Sequence, residues 1–179
     1  IKFVPNAGKL ELRVRGPHIF PGYRHAPRLT REAFDDEGFY KIGDAGYLAD
    51  ERDPASGIVF NGRVAEDFKL TSGTWVSVGT LRVQLIQALS PWVQDAVITG
   101  HDRDQVGALL FVTEPARALP AAELAEKVRQ GLAALRSDGA GSSQAPGRAI
   151  VLPDVPDMAA GEITDKGYIN QRMVLTRRA

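Results

Sequence analysis

VQDAVIT (residues 93–99) and VGALLFVT (residues 106–113) are rich in apolar and β-branched residues and are bounded by polar or glycine-containing segments. Each is therefore predicted to be a strand. Helices are predicted on either side of them. Residues 80–89 and 120–136 place leucines at helical spacing, and a proline follows the first helix and lies near the start of the second.

The rest of the C-terminal part is predicted to contain further strands and helices. Residues 68–70 and 74–78 are predicted to form a hairpin, and residues 149–152 a further strand. A closing helix is predicted at residues 168–175. The resulting order, β-β-α-β-β-α-β-α, indicates a compact α+β lobe.

The first third of the chain has a different pattern, with short strands and frequent turns. The segment KLELRV (residues 9–14) alternates apolar with charged residues, which predicts a half-buried strand. One helical turn is predicted with Thr30 as its N-cap. We therefore expect an α+β protein in which a small β-rich subdomain, residues 1–62, precedes a compact α+β lobe, residues 63–179.

The composition narrows the functional classes. Lys plus Arg and Asp plus Glu number 22 each, so the net charge favours neither nucleic acid nor an anionic membrane. The chain has no cysteine, which excludes disulfides and thiolate chemistry. No apolar run approaches the ~20 residues of a membrane helix. The three histidines are scattered, so no metal site is expected. Because the chain opens at Ile1 inside a predicted strand, we interpret it as a piece of a longer protein. The lack of cysteine fits a reducing cytosol, so a cytoplasmic location is expected.

Four glycine-containing segments occur in a fixed order along the chain. They are GP…GY (16–23), GFYKIGD (38–44), GR…FK…G (62–73) and GEITDKG (161–167). Together they resemble the late motifs of the adenylate-forming superfamily, which includes acyl-CoA synthetases, aryl-CoA ligases, luciferases and peptide-synthetase adenylation domains. Within it, GEITDKGYINQ (161–171) and TWVSVG (74–79) are most similar to feruloyl-CoA synthetases.

This resemblance implies an ATP-dependent, AMP-forming acid–thiol ligase. In that reaction a carboxylate attacks the α-phosphate of ATP, pyrophosphate leaves, and the acyl-adenylate then reacts with the thiol of coenzyme A. The implied partners are ATP with Mg²⁺, coenzyme A, a small and preferably aromatic carboxylic acid, and the N-terminal domain of the same protein. Since the phosphate loop and acyl pocket belong to that domain, this chain alone is expected to be inactive.

The resemblance also gives nucleotide-binding roles to three residues. Asp44 matches an aspartate that accepts hydrogen bonds from the ribose hydroxyls, for which a carboxylate with two oxygens is suited. Arg63 matches an arginine that contacts ribose or phosphate, and Lys69 a lysine that assists adenylation in some aryl-CoA ligases. The alternatives are an ordinary turn aspartate, a surface arginine paired with Glu66 or Asp67, and an exposed hairpin lysine.

The resemblance also implies a hinge within residues 63–67, about which a mobile C-terminal α+β domain, residues 63–179, rotates between the two half-reactions. Residues 1–62 would then be the end of the large N-terminal domain. The central residues of the hinge are Ala65 and Glu66. Many relatives have aspartate or lysine where this chain has Ala65. A small residue can still absorb a change of backbone torsion.

Lys166 is the predicted catalytic residue. In the family, a lysine on a C-terminal loop bridges the substrate carboxylate and the nucleotide, where an ammonium group can neutralise developing charge. Gly161 and Gly167 bracket this loop and permit unusual torsions. Asp165 stands where many relatives have glycine. The alternative is a solvated loop lysine without a catalytic role.

Two other functions stay open at this point. The chain could be a non-catalytic module that binds a nucleotide or a protein partner. It could also belong to an adenylation domain that loads a carrier protein instead of free coenzyme A. No phosphopantetheine-attachment segment follows the GEITDKG motif, which favours coenzyme A.

Overall fold

The computed structural model describes residues 1–6, 8–137, 141 and 143–178. The chain forms two compact units, Ile1–Ala65 and Glu66–Ala179. Each unit contains both strands and helices, which confirms the predicted α+β class. Among the described residues, no helix combines the length and the apolar character that crossing a bilayer requires.

The first unit is built on a four-stranded antiparallel sheet in which sequence neighbours pair in order. Helix α1 lies in the connection between the second and third strands, and a short 3₁₀ turn, Pro54–Ser56, lies between the third and fourth. The elements are β1 (Lys2–Asn6), β2 (Lys9–Val14), α1 (Pro27–Ala33), β3 (Tyr40–Leu48) and β4 (Ile58–Arg63).

Strand β2 departs from the simple alternation that its sequence suggested. Leu12 is buried as expected, but Leu10 is 41% exposed. The opposite face instead buries Glu11, whose carboxylate lies 2.8 Å from Nη2 of Arg13. A carboxylate tolerates burial when a charged partner satisfies it, and a pattern of apolar residues does not report such pairing.

The predicted cap of the first helix is wrong. Helix α1 begins at Pro27, a residue pre-organised for the first helical position, and Thr30 lies inside the helix. The Thr30 hydroxyl donates to the carbonyl of Ala26 at 3.0 Å and accepts from the backbone N–H of Tyr23 at 2.9 Å. It therefore ties the helix to the preceding turn.

Asp35 joins β1 and β2 to the segment that enters β3. One carboxylate oxygen lies 2.8 Å from Nζ of Lys2 and 3.1 Å from Nη1 of Arg13. The other accepts the backbone N–H of Phe39 at 2.9 Å. These contacts, with the Lys2 hydrogen bond the largest, hold the pKa of Asp35 far below its usual value.

This low pKa makes the stability of the first unit sensitive to acid. A carboxyl group whose pKa is lower in the folded than in the unfolded state contributes its full stabilisation when the pH is above its unfolded-state pKa of about 4. That contribution is lost as the pH falls toward the folded-state pKa. We expect Asp35→Asn to lower the urea midpoint at pH 7 and to flatten its decline between about pH 4 and pH 2. Amide NMR signals of β2 and β3 would follow unfolding. The neighbouring exposed Asp36, as Asp36→Asn, is the control and should behave as wild type.

The second unit is a three-stranded sheet with helices on both faces, preceded by a small hairpin. In the sheet β7 pairs antiparallel with β8, and β8 pairs parallel with β9. The elements are β5 (Phe68–Lys69), β6 (Trp75–Val76), α2 (Val78–Ala88), β7 (Val93–Thr99), β8 (Gly107–Val112), α3 (Glu114–Arg117), α4 (Ala121–Ser137), β9 (Arg148–Val151) and α5 (Gln171–Arg178).

The apolar run of β8 and the apolar residues Ala96–Ile98 of β7 are explained by burial of both sheet faces. Successive residues point to opposite faces of a strand. In β8, Leu110 belongs to a large core shared with α2 and α4, whereas Leu109 and Phe111 belong to a second core. Val174 of α5 completes the second core. Helices therefore cover the sheet on both sides, and β8 is buried from Ala108 to Val112 without a half-buried alternation.

The closing helix is displaced from its predicted position. Residues 168–170 are not helical, and α5 runs three residues farther than predicted, to Arg178. Asn170 caps it, because its side-chain oxygen accepts the backbone N–H of Met173 at 3.2 Å. The one-turn helix α3 was not predicted.

Candidate functional site

Asp44 and Arg63 are brought together by pairing of the last two strands of the first unit. They face each other in the β3–β4 register. Nε of Arg63 lies 3.6 Å from Oδ1 of Asp44, and the two side chains are 66% and 34% exposed. That separation is an ion pair, too long for a hydrogen bond, so both groups keep hydrogen-bonding capacity for a ligand. Asp44 lies within a strand, which does not fit the alternative of a turn aspartate.

Glycines shape the backbone around this pair. Gly43 and Gly62 both have positive φ, 78° and 75°, a conformation that side chains disfavour. The register shifts between Asp44 and Gly46, as a β-bulge does when it redirects a side chain. The backbone N–H of Val64 then donates to the carbonyl of Gly43 at 2.9 Å. Pairing of the two strands thus extends one residue beyond Arg63.

The residues predicted to form the hinge lie between two fixed points. Val64 is buried and bonded to Gly43 on one side. On the other side, the carboxylate of Asp67 accepts the backbone N–H of Val78 at 3.0 Å, at the start of α2. Ala65 and Glu66 form the turn between these anchors, and the boundary between the two units falls between them.

Lys69 lies on the β5–β6 hairpin of the second unit. Its Nζ is 5.0 Å from the centre of the Trp75 ring, within the range of a cation–π contact. The loop after β7 braces the hairpin: the ring of His101 stacks on Phe68 with centroids 4.0 Å apart. Burial lowers the pKa of His101, so this contact is made by a neutral imidazole at neutral pH.

Lys166 lies at the tip of a second small hairpin. Ile163 bridges to Ile169, the backbone N–H of Thr164 donates to the carbonyl of Tyr168 at 2.8 Å, and that of Gly167 donates to Thr164 at 2.9 Å. Lys166 is exposed at this turn. Among the side chains that the structure describes, none forms an ion pair with it. An unpaired ammonium group is therefore presented on an ordered turn.

The base of this hairpin holds a buried carboxylate to which the sequence analysis gave no role. Glu162 is fully buried, and Arg178 makes two short contacts to it, Nε–Oε1 at 2.7 Å and Nη2–Oε2 at 2.6 Å. Its oxygens also lie 3.2 Å from Nη1 of Arg177 and 2.7 Å from the backbone nitrogen of Asp157. The hydrogen bond to Arg178 is the largest cause that lowers the pKa of Glu162.

The predicted site residues therefore fall into separate groups. Asp44 and Arg63 adjoin each other in the first unit, while Lys69 and Lys166 lie on two different hairpins of the second. Sequence reasoning missed the pairing of Glu162 with Arg178, for which no local pattern exists. Within the described part of the chain, no three acidic or histidine side chains are grouped to hold a metal ion.

Comparison with known proteins gives a consistent result. The family described as AMP-binding enzyme C-terminal domain matches residues 70–178. The chain is 29% identical over 172 residues to the salicyl-AMP ligase / salicyl-S-ArCP synthetase of Mycobacterium tuberculosis, covering 93% of this chain and 27% of that protein. It is 33% identical over 102 residues to a long-chain-fatty-acid–CoA ligase of the same organism, covering 57% and 16%.

A solved structure matches nearly the whole chain. It is the A domain of carboxylic acid reductase from Segniliparus rugosus, in complex with AMP and a co-purified carboxylic acid. The TM-score is 0.75 at 25% identity, and the match covers 95% of this chain and 26% of the other. The chain thus spans about a quarter or less of the length of each of these three proteins.

Proposed function

Because this chain belongs to the AMP-binding enzyme C-terminal domains of the adenylate-forming superfamily, we propose that it is the C-terminal part of an AMP-forming acid–thiol ligase. The observation that carries the proposal is Lys166, an exposed lysine without an ionic partner among the described residues, on an ordered hairpin of the matched domain. An ammonium held in this way can stabilise charge that develops on a phosphate. The similar A domain of carboxylic acid reductase, solved in complex with AMP and a co-purified carboxylic acid, supports the same chemistry.

In this proposal each described residue has a defined task. The carboxylate of Asp44 accepts hydrogen bonds from the ribose hydroxyls, and the guanidinium of Arg63 contacts ribose or phosphate. Lys69 assists adenylation from the hairpin. Lys166 bridges the substrate carboxylate and the α-phosphate while pyrophosphate leaves. Mg²⁺ would arrive with ATP, but the described residues offer no cluster of ligands for it, so no step is assigned to it.

The proposed thiol acceptor is free coenzyme A, and the proposed acid is aromatic. The support is the similarity of GEITDKGYINQ (161–171) and TWVSVG (74–79) to feruloyl-CoA synthetases. A carrier-protein acceptor is the second candidate, because the relative that matches 93% of this chain is named a salicyl-S-ArCP synthetase. Thioester formation by the complete ligase with coenzyme A and with a phosphopantetheinylated carrier protein, each with ferulate and salicylate, separates the two candidates.

We further propose that the C-terminal domain rotates about Ala65 and Glu66 between the half-reactions. The backbone on both sides is held, by the Val64–Gly43 hydrogen bond before the turn and the Asp67–Val78 hydrogen bond after it. A torsion change at the turn would leave both anchors intact. Ala65 has a small, exposed side chain that offers little steric resistance to a change of backbone torsion.

Asp44→Ala tests the nucleotide-binding role. A charge-assisted hydrogen bond contributes about 1.5–3 kcal/mol, so loss of even one of those that Asp44 accepts should weaken AMP binding at least about 10–100-fold. Isothermal titration of AMP into the complete ligase measures it. Glu51→Ala removes an exposed carboxylate from a loop of the same unit and should leave the affinity unchanged. Equal AMP affinity in Asp44→Ala and wild type would remove Asp44 from the site.

A further inference from the structure

Glu162 is buried, charged and unused by the function proposed above. We propose that Glu162, held by Arg178 and Arg177, is a positioning residue that fixes the hairpin carrying Lys166 relative to the sheet. The inference rests on the proposed function for its catalytic consequence. Its structural content, an ordered hairpin that depends on this carboxylate, can be tested without catalysis.

Both oxygens of the Glu162 carboxylate have charged or hydrogen-bonding partners. Arg178 binds it through two parallel hydrogen bonds of 2.7 and 2.6 Å, the geometry in which a guanidinium fork matches a carboxylate. The side chain of Glu162 is 0% exposed and that of Arg178 only 17%, so water screens this pair little. Arg177 is 41% exposed, and its contact at 3.2 Å adds less.

The backbone of Glu162 forms the base of the Lys166 hairpin. Its carbonyl accepts the N–H of Asn170 at 2.8 Å, one step outside the Ile163–Ile169 bridge, and its own N–H donates to Asp157 at 2.9 Å. Both ends of the hairpin thus meet at one residue. The side chain of that residue is the one that Arg178 binds.

Helix α5, which carries Arg178, is fixed to the core. Arg178 is in the last turn of α5, and α5 starts directly after the hairpin, with Asn170 as its cap. Val174 of α5 is fully buried against the sheet, and the amide of Gln171 bonds the backbone N–H and carbonyl of Ile98 at 3.2 and 2.6 Å. Hairpin, helix and carboxylate therefore form a closed loop of contacts that is anchored on β7.

Breaking this loop should loosen Lys166 while the core remains folded. Glu162→Gln keeps the shape of the side chain but removes the charge and one acceptor, so Arg178 loses its bidentate partner. Because a displacement of about 1 Å at a catalytic group can cost 10²-fold in rate, we expect acyl-adenylate formation to slow about 10–100-fold. The KM for ATP and the transfer of a pre-made acyl-adenylate to coenzyme A should not change.

The matched control is a second glutamate held by an arginine in the same way. Glu126 on α4 accepts two hydrogen bonds from Arg129, but the pair lies on the surface far along the chain from the hairpin. Glu126→Gln should leave both half-reactions at the wild-type rate. A slow Glu126→Gln variant would mean that any lost ion pair impairs the enzyme.

Hydrogen exchange of this 179-residue chain provides the readout that does not need catalysis. In Glu162→Gln the amides of Gly167 and Asn170 should exchange at least tenfold faster, whereas those of Leu109 and Leu110 in β8 should keep their protection. Equal loss in β8 would indicate a general stabilising role and overturn the proposal. If Glu162→Gln does not fold, Arg178→Lys decides, since it keeps the charge but not the fork; it must show the same selective loss.

The two proposals can fail separately. If Lys166→Ala slows adenylation but Glu162→Gln does not, Glu162 is not a positioning residue and the proposed function stands. If Lys166→Ala has no effect, the proposed function fails, and the exchange rates of the hairpin alone decide whether Glu162 orders it.

Discussion

Replacing Lys166 with alanine is expected to slow acyl-adenylate formation by about 10²–10³-fold in the complete ligase, equivalent to about 3–4 kcal/mol of transition-state stabilisation. The physical reason is that, in the proposed mechanism, Lys166 supplies a positive charge to the reacting phosphate. The ground-state affinity for ATP should change much less, because the charge that Lys166 is proposed to neutralise develops mainly during the reaction. Single-turnover formation of the adenylate measures the effect.

The second half-reaction is the internal control for Lys166. If the C-terminal domain rotates between the half-reactions, Lys166→Ala should convert a pre-made acyl-adenylate to the thioester at nearly the wild-type rate. Asp165→Ala, which removes a charge from the same turn and leaves the lysine, should be close to wild type in both assays. Equal slowing of both half-reactions by Lys166→Ala would indicate a structural lysine or a domain that does not rotate.

Phe111→Ala is expected to cost the second unit about 3–5 kcal/mol in free energy of unfolding, the usual range for a large buried aromatic. Phe111 is 1% exposed and packs with Val97, Leu109, Leu152 and Val174 in the smaller of the two cores. Its loss leaves a cavity between the sheet and α5 that these side chains cannot fill. Because this core holds α5, the hairpin with Lys166 should lose order as well.

Urea unfolding followed by tryptophan fluorescence measures this cost, since both tryptophans, Trp75 and Trp92, belong to the second unit. Val83→Ala is the control, because Val83 is 54% exposed on α2 and should change the unfolding free energy little. A Phe111→Ala variant with the stability of Val83→Ala would show that the smaller core does not hold the unit together.

Local patterns were sufficient to predict most of the second unit. Apolar runs predicted β7 and β8, and helical spacing predicted α2 and α4, because each of these elements buries its own apolar residues. The closing helix was misplaced because part of the predicted segment is held by backbone pairing and not by burial of its own apolar residues. The Thr164–Tyr168 hydrogen bond and the Ile163–Ile169 bridge hold residues 163–169 in a hairpin, and no apolar periodicity marks such pairing.

Residues of the candidate site could be proposed from the sequence only where they lie in a recognisable motif. The roles predicted for Lys166, Asp44 and Arg63 come from ordered glycine motifs, whereas the role proposed for Glu162 depends on Arg178, sixteen residues later in the chain. Neither residue is unusual in its local context. A buried ion pair of this kind becomes visible only when the fold brings its two members together.

The burial of both faces of β8 also bears on how this domain can change during evolution. From Ala108 to Val112 every residue is buried, so a polar side chain at any of these five positions would be desolvated. In β9 exposed and half-buried positions alternate, and Ile150 is 60% exposed. Selection should therefore keep β8 a contiguous apolar block, while neutral drift accumulates at every second residue of β9.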